Sequence, residues 1–132
     1  MAALVDTNVI IDVITDDPQW GSWADHVIRM HHPDGAWINP VVYAELSAGT
    51  DDMEEVDDII AQLRLSYHEL PKSALFHAGQ AFRTYRSKNG TKTSPLADFF
   101  IGGHAKALDM PIITRDEKRY RTYFPSVELI TP

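Results

Sequence analysis

The sequence contains no cysteine, which excludes disulfide staples, thiolate metal sites and cysteine nucleophiles together. Long apolar runs are also missing. Uninterrupted stretches extend only a few residues, far short of the roughly 20 needed to cross a bilayer. No signal-peptide pattern precedes the first strand-like segment, so a cytoplasmic protein without membrane contact is expected. No Gly-x-Gly-x-x-Gly follows any candidate strand, and a dinucleotide-binding fold or a nucleotide cofactor is therefore not expected. Six histidines are present, yet none are spaced four apart and His31-His32 are merely adjacent, which argues against zinc. Basic residues are scarce in the first half of the chain: two against fourteen acidic residues up to Pro71, then ten against five from Lys72 onward. The net charge of −7 thus divides into about −12 and +5. Either the charges are solvated faces, or a basic approach surface lies beside an acidic pocket.

The 132 residues, with 44% hydrophobic and 23% charged, suit one folded domain over residues 1–132. Ala2–Val5 reads as a strand, and Val9–Ile14 as a helix after the capping residues Thr7 and Asn8. Trp20, Trp23, Val27 and Ile28 form one helical stripe, ended by Pro33-Asp34-Gly35. Ala36–Ile38 is a second strand, after which Asn39-Pro40 starts a helix running to about Ala48. Asp51 or Asp52 caps the next helix, and Leu65–Leu70 is a third strand. A longer helix follows Pro71, and Ser87–Ser94 is polar before Ser94-Pro95 starts the helix Leu96–Leu108. Met110–Thr114 is the fourth strand, Asp116–Tyr123 a short helix and Val127–Ile130 the last strand. Strands alternating with helices predict an α/β fold, a short and mostly parallel sheet of about five strands flanked by helices on both faces.

Four carboxylates stand out. Asp6 follows the first strand and Asp116 the fourth, at the strand ends where open α/β sheets bind ligands. Each also suits a helix N-cap. Glu45 and Asp98 lie within apolar helical stretches where neither a cap nor the helix dipole accounts for them. Burial there would require a counter-charge, and no lysine or arginine lies nearby in sequence. The alternatives are a distant arginine or a hard divalent cation held by converging oxygens, Mg²⁺ or Mn²⁺. One or two such ions would activate water against a phosphodiester and steady the departing oxygen. Asp12 is either a support for these acids or a solvated carboxylate.

These residues sit in recognisable motifs. Val5-Asp6-Thr7-Asn8-Val9-Ile10-Ile11-Asp12 resembles the opening motif of PIN domains, and Tyr43-Ala44-Glu45-Leu46 their second acidic motif. Leu96-Ala97-Asp98, with Ile101 and His104-Ala105, resembles the third, and Ile113-Thr114-Arg115-Asp116 with Tyr120 the fourth. The resemblance spans nearly the whole chain, in order, and is strongest to the VapC branch of small stand-alone toxins. It implies a single PIN-like domain in which Asp6, Glu45, Asp98 and Asp116 bind Mg²⁺ or Mn²⁺ and carry catalysis, with Thr7, Asn8 and Thr114 in support. Glu117 is an alternative fourth ligand. It further implies endoribonuclease activity on RNA, a VapB-like antitoxin partner and often a homodimer.

Phosphate contacts are expected from Arg83, Arg86, Lys88, Lys92 and Arg115, with Lys118, Arg119 and Arg121 in the same cluster. His104 is expected in packing or at the surface. Trp20, Trp23 and Trp37 suit core packing better than base stacking. Three other functions are weighed. A receiver-type signalling module lacks its phosphoacceptor Asp after a middle strand. A catalytically silent PIN-like module binding RNA or protein, and a metal-dependent phosphatase acting on small phosphoesters, both suit the same acids.

Overall fold

The computed structural model describes residues 1–88 and 96–132. Five strands, β1 (Ala3–Val5), β2 (Ala36–Ile38), β3 (Ser66–Tyr67), β4 (Ile112–Ile113) and β5 (Leu129–Ile130), form one sheet in the order β3-β2-β1-β4-β5. Every pairing is parallel. Among the described residues the helices are α1 (Thr7–Ile14), α2 (Gly21–His31), α3 (Pro40–Ser47), α4 (Met53–Gln62), α5 (Lys72–Ser87), α6 (Leu96–Leu108) and α7 (Lys118–Tyr123). None is long and apolar enough to cross a membrane.

The sheet centre is covered on both sides. Successive strand residues point to opposite faces, yet Ala3, Leu4 and Val5 of β1 and Ile112 and Ile113 of β4 are all fully buried. The strands are shorter than the apolar runs that contain them. Leu65 and Met110 are buried, but they pack against the core from outside the hydrogen-bonded ladder.

Asn39 caps α3 as its sequence context implies, its Oδ1 accepting from the backbone N–H of Val41 at 3.0 Å and Val42 at 3.1 Å. Asp52, rather than Asp51, caps α4 by accepting from Glu55 N–H at 2.9 Å. The expected Ser94-Pro95 start of α6 and the polar segment before it lie at or beyond the edge of the described residues.

Helix α6, which carries Asp98, is pressed against α5 through Gly103. A Cβ there would come within 2.4 Å of the Ala74 carbonyl oxygen and 2.9 Å of the Ala78 nitrogen. Both are backbone atoms, which cannot rotate away. Gly103→Ala is therefore expected to cost about 3 kcal/mol of stability, read as a shifted denaturant midpoint; an unchanged midpoint would show that the two helices can separate freely.

Candidate active site

The chain reverses its direction of travel across the sheet between β1 and β4, the strand-order switch where crevices form in such folds. Asp6 leaves β1 at this point. It occupies the N-cap position of α1 with extended backbone, but its side chain makes no cap hydrogen bond. Instead Oδ2 accepts from Thr114 Oγ1 at 2.8 Å, Tyr120 Oη at 3.0 Å and Asn8 Nδ2 at 3.2 Å. Three donors converge on one oxygen, so the capping account of Asp6 fails.

Asp6 is 4% exposed. Burial pushes its pKa up to about 6, with the charges of Asp98 and Glu45 adding to the rise and the Thr114 and Tyr120 hydrogen bonds opposing it. Tyr120, also buried, is pushed well above the ordinary phenol value by burial and by the same carboxylates. It therefore remains a hydrogen-bond donor at neutral pH.

Glu45 comes in from α3 and accepts from Thr7 Oγ1 at 2.7 Å. Its apolar sequence neighbours suggest burial, but the residue is exposed. Its solvated carboxylate has no need of a counter-charge, which corrects the expectation drawn from those neighbours. Asp98, in the first turn of α6, is half-buried and does have one: Arg119 Nη1 donates to Oδ2 at 2.7 Å. Burial raises its pKa, Arg119 opposes the rise and Asp116 adds to it. The distant-arginine alternative is thus realised at Asp98.

Asp116 is exposed. Its backbone N–H donates to Thr114 Oγ1 at 3.0 Å, joining it to the Asp6 network. Glu117 is engaged by Arg121 Nε at 3.0 Å instead.

A family model of the PIN domain matches residues 3–125. The chain belongs to the PIN domain family. No curated protein matches the sequence. Among solved structures, VapBC2 from Rickettsia felis, bound to a DNA fragment from its promoter, is similar with a TM-score of 0.78 and 19% identity, over 100% of this chain and 99% of that one. VapBC-1 from nontypeable Haemophilus influenzae gives 0.74 and 20%, over 99% and 98%. FitAcB from Neisseria gonorrhoeae gives 0.68 and 21%, over 100% and 98%. At these identities the likeness is one of fold.

Within the PIN site the donors are all carboxylate, hydroxyl and amide oxygens, the chemistry that hard cations require. The charges of Glu45 and Asp98 both add to the rise of the Asp6 pKa. That donor set suits Mg²⁺ or Mn²⁺. Among the described residues no three histidine, aspartate or glutamate side chains are drawn tightly enough together to ligate one ion.

Two residues of this PIN site matter more than their sequence context indicates. Tyr120 stands in the sequence only as part of a motif, yet it holds Asp6. Its signal is the pattern Lys118-Arg119-Tyr120-Arg121, where a lone aromatic among charges must turn inward. Arg119 groups by sequence with the cations expected to contact phosphate, and no sequence signal links it to Asp98, twenty-one positions earlier.

Arg115 departs most from expectation. Its Nε lies 2.5 Å from Asp12 Oδ2 and its Nη2 3.1 Å from Oδ1, a two-pronged ion pair with a carboxylate that is 2% exposed. The Asp12 hydrogen bond raises the Arg115 pKa. Asp12 is thus neither solvated nor idle, and Arg115 is not a free phosphate contact. Arg115→Ala would strand a buried carboxylate. It is expected to destabilise the fold by about 3 kcal/mol, measured by thermal melting; a wild-type melting temperature would refute that role.

Arg83, Arg86 and Lys88 are exposed at the end of α5, with Arg86 5.9 Å from the Phe82 ring centre and Lys88 5.8 Å from that of Tyr123. Lys92 lies outside the described residues. Trp23 and Trp37 pack against the core, and Trp37 stacks on His68 with ring centres 3.4 Å apart. His104 is fully buried. Its Nδ1 accepts from Asn39 Nδ2 at 3.2 Å, since the Asn39 oxygen is taken by the α3 cap. The bond ties α3, which bears Glu45, to α6, which bears Asp98.

Proposed function

We propose that this PIN domain is a metal-dependent endoribonuclease and the toxin of a toxin–antitoxin pair. The observation that carries the reading is Asp6, buried at the β1/β4 switch point with three donors on one carboxylate oxygen and its pKa raised by burial and by the charges of Asp98 and Glu45. Thr7 holds Glu45, and Asn8, Thr114 and Tyr120 hold Asp6, by hydrogen bonds. Such a constellation has little to contribute to folding. It concentrates negative charge at a crevice, and a divalent cation offsets that charge.

Asp6, Glu45, Asp98 and Asp116 are the residues that would hold Mg²⁺ or Mn²⁺. Bound there, such an ion would supply Lewis acidity toward a phosphoryl oxygen and would lower the pKa of water. The chain's own side chains set the geometry. Thr114 and Tyr120 occupy one oxygen of Asp6 and leave its other oxygen without a hydrogen bond among the described residues, while Thr7 orients Glu45. No side chain is cast as the nucleophile. The VapBC structures support a VapB-like antitoxin as partner, and the family resemblance supports a homodimer.

The Arg119–Asp98 ion pair favours a second reading, a silent PIN module that binds RNA or protein without turnover. Purified protein free of antitoxin, incubated with total cellular RNA and Mg²⁺ or Mn²⁺ beside an EDTA control, separates the two. Discrete fragments that vanish with EDTA are expected. Intact RNA from folded, metal-loaded protein would favour the silent module, and turnover of a small phosphoester alone would indicate a phosphatase.

A further inference from the structure

Beside the acids, between the end of α5 and α7, lies a cavity of about 290 Å³ lined by Tyr85, Asp116, Lys118, Arg119, Thr122 and Tyr123. We propose that it is the subsite for one unpaired nucleotide of an RNA strand. The choice of ligand rests on the ribonuclease reading, but the geometry of the cavity stands separately.

Three features point to that occupant. The volume is at the small end of ligand sites, room for a single nucleotide and not for a helical groove. Its walls pair aromatic rings with cations. Tyr85 and Tyr123 meet edge to face with ring centres 6.1 Å apart, and Lys88 Nζ stands 5.8 Å from the Tyr123 ring centre. Aromatic faces with flanking cations are what single strands bind, because every base has a face to stack and every linkage a phosphate. Duplex RNA offers its shape and its 2′-hydroxyls instead, and its bases are not free to enter.

The charges are arranged unequally. Arg115 is committed to Asp12, Arg121 to Glu117 and Arg119 to Asp98. Lys118, exposed, makes no ion pair among the described residues. Of the two cations in the cavity lining, Lys118 and Arg119, it is the one left available to a phosphate, with Lys88, likewise without an ion pair among the described residues, beside the Tyr123 ring. The groove also adjoins the acids, for Asp116 forms part of its wall and Arg119 reaches from it to Asp98. A nucleotide seated there would place its neighbouring phosphodiester toward the carboxylates. The cationic second half of the chain thus supplies an approach beside the acidic pocket.

The test is binding of a fluorescent single-stranded RNA decamer to the full chain in EDTA at low ionic strength, beside the same decamer in a duplex. Lys118→Gln and Tyr123→Leu are the variants. The single strand should bind more tightly than the duplex. Lys118→Gln should weaken it several-fold and reduce the slope of log affinity against log salt by about 0.7, the loss of one single-strand phosphate contact. Tyr123→Leu should weaken binding about tenfold. Tyr123 also packs on Phe99, with ring centres 5.1 Å apart, so if that variant loses helical circular dichroism, Lys118→Gln and its salt slope decide. Unchanged affinity and slope in Lys118→Gln, or preference for the duplex, overturns the proposal. An acidic decapeptide that binds as tightly and is lost in Lys118→Gln would reassign the groove to a protein partner. No metal or turnover enters the measurement, so RNA binding that meets expectation while RNA stays intact with Mn²⁺ would sink the nuclease reading and keep the subsite.

Discussion

Glu45→Gln is expected to lower RNA cleavage by more than about a hundredfold while leaving stability within about 0.5 kcal/mol of wild type. Removing a group that merely supports a metal ligand already costs up to that factor, and removing a ligand should cost more. The stability half follows from the structure: Glu45 is exposed and its hydrogen bond is with Thr7, a partner that a glutamine oxygen can still satisfy. Glu45 is therefore a cleaner acid to remove than Asp98 or Asp6. Asp98→Asn would also release Arg119, and Asp6→Asn would alter a buried network. Matched melting curves with parallel cleavage rates on one RNA make the measurement. Full activity in Glu45→Gln would remove this residue from the metal set.

Asp6→Asn is expected to stabilise the protein in EDTA at pH 8 by up to about 3 kcal/mol, with the gain fading as pH falls. The sign comes from the raised pKa. Folded Asp6 titrates at about 6 against an ordinary value of 3.8, so the folded state holds its proton more tightly than the unfolded chain does. Its favourable contribution is complete below about pH 4 and is lost as pH rises through 6, where the buried carboxylate must ionise. A shift of this size corresponds to about 3 kcal/mol, and asparagine has no charge to bury. Denaturant melts from pH 4 to 8 would show the wild-type and variant curves converging at low pH. Mn²⁺ should then raise the wild-type melting temperature more at pH 8 than at pH 5, and should not raise that of Asp6→Asn. A variant less stable than wild type at pH 8 would mean that the hydrogen bonds to Asp6 outweigh its desolvation.

Much of this is legible in the sequence without any fold. Strand, helix and cap positions follow local rules: Asn39-Pro40 starts a helix because an Asn oxygen and a proline at the first turn each answer the unsatisfied N–H groups there. The alternation of strands with helices implies a parallel sheet, and its strand ends imply where Asp6 and Asp116 lie. The strand lengths are less legible. Apolar runs mark burial, and Leu65 and Met110 are buried without being in the ladder.

The amino-acid sequence by itself determined the elements, their parallel arrangement and an oxygen-only donor set, because each depends on spacing within a few residues or on which residue types are present. Only the tertiary structure decided how the charges pair. Arg115 goes to Asp12 and Arg119 to Asp98 across separations of 103 and 21 residues, Tyr120 reaches Asp6 from 114 positions away, and Glu45 faces solvent despite its apolar neighbours. Such partnerships are set by which helix ends the sheet brings together, and by which face of each helix the core takes up; neither is written into any local stretch of chain.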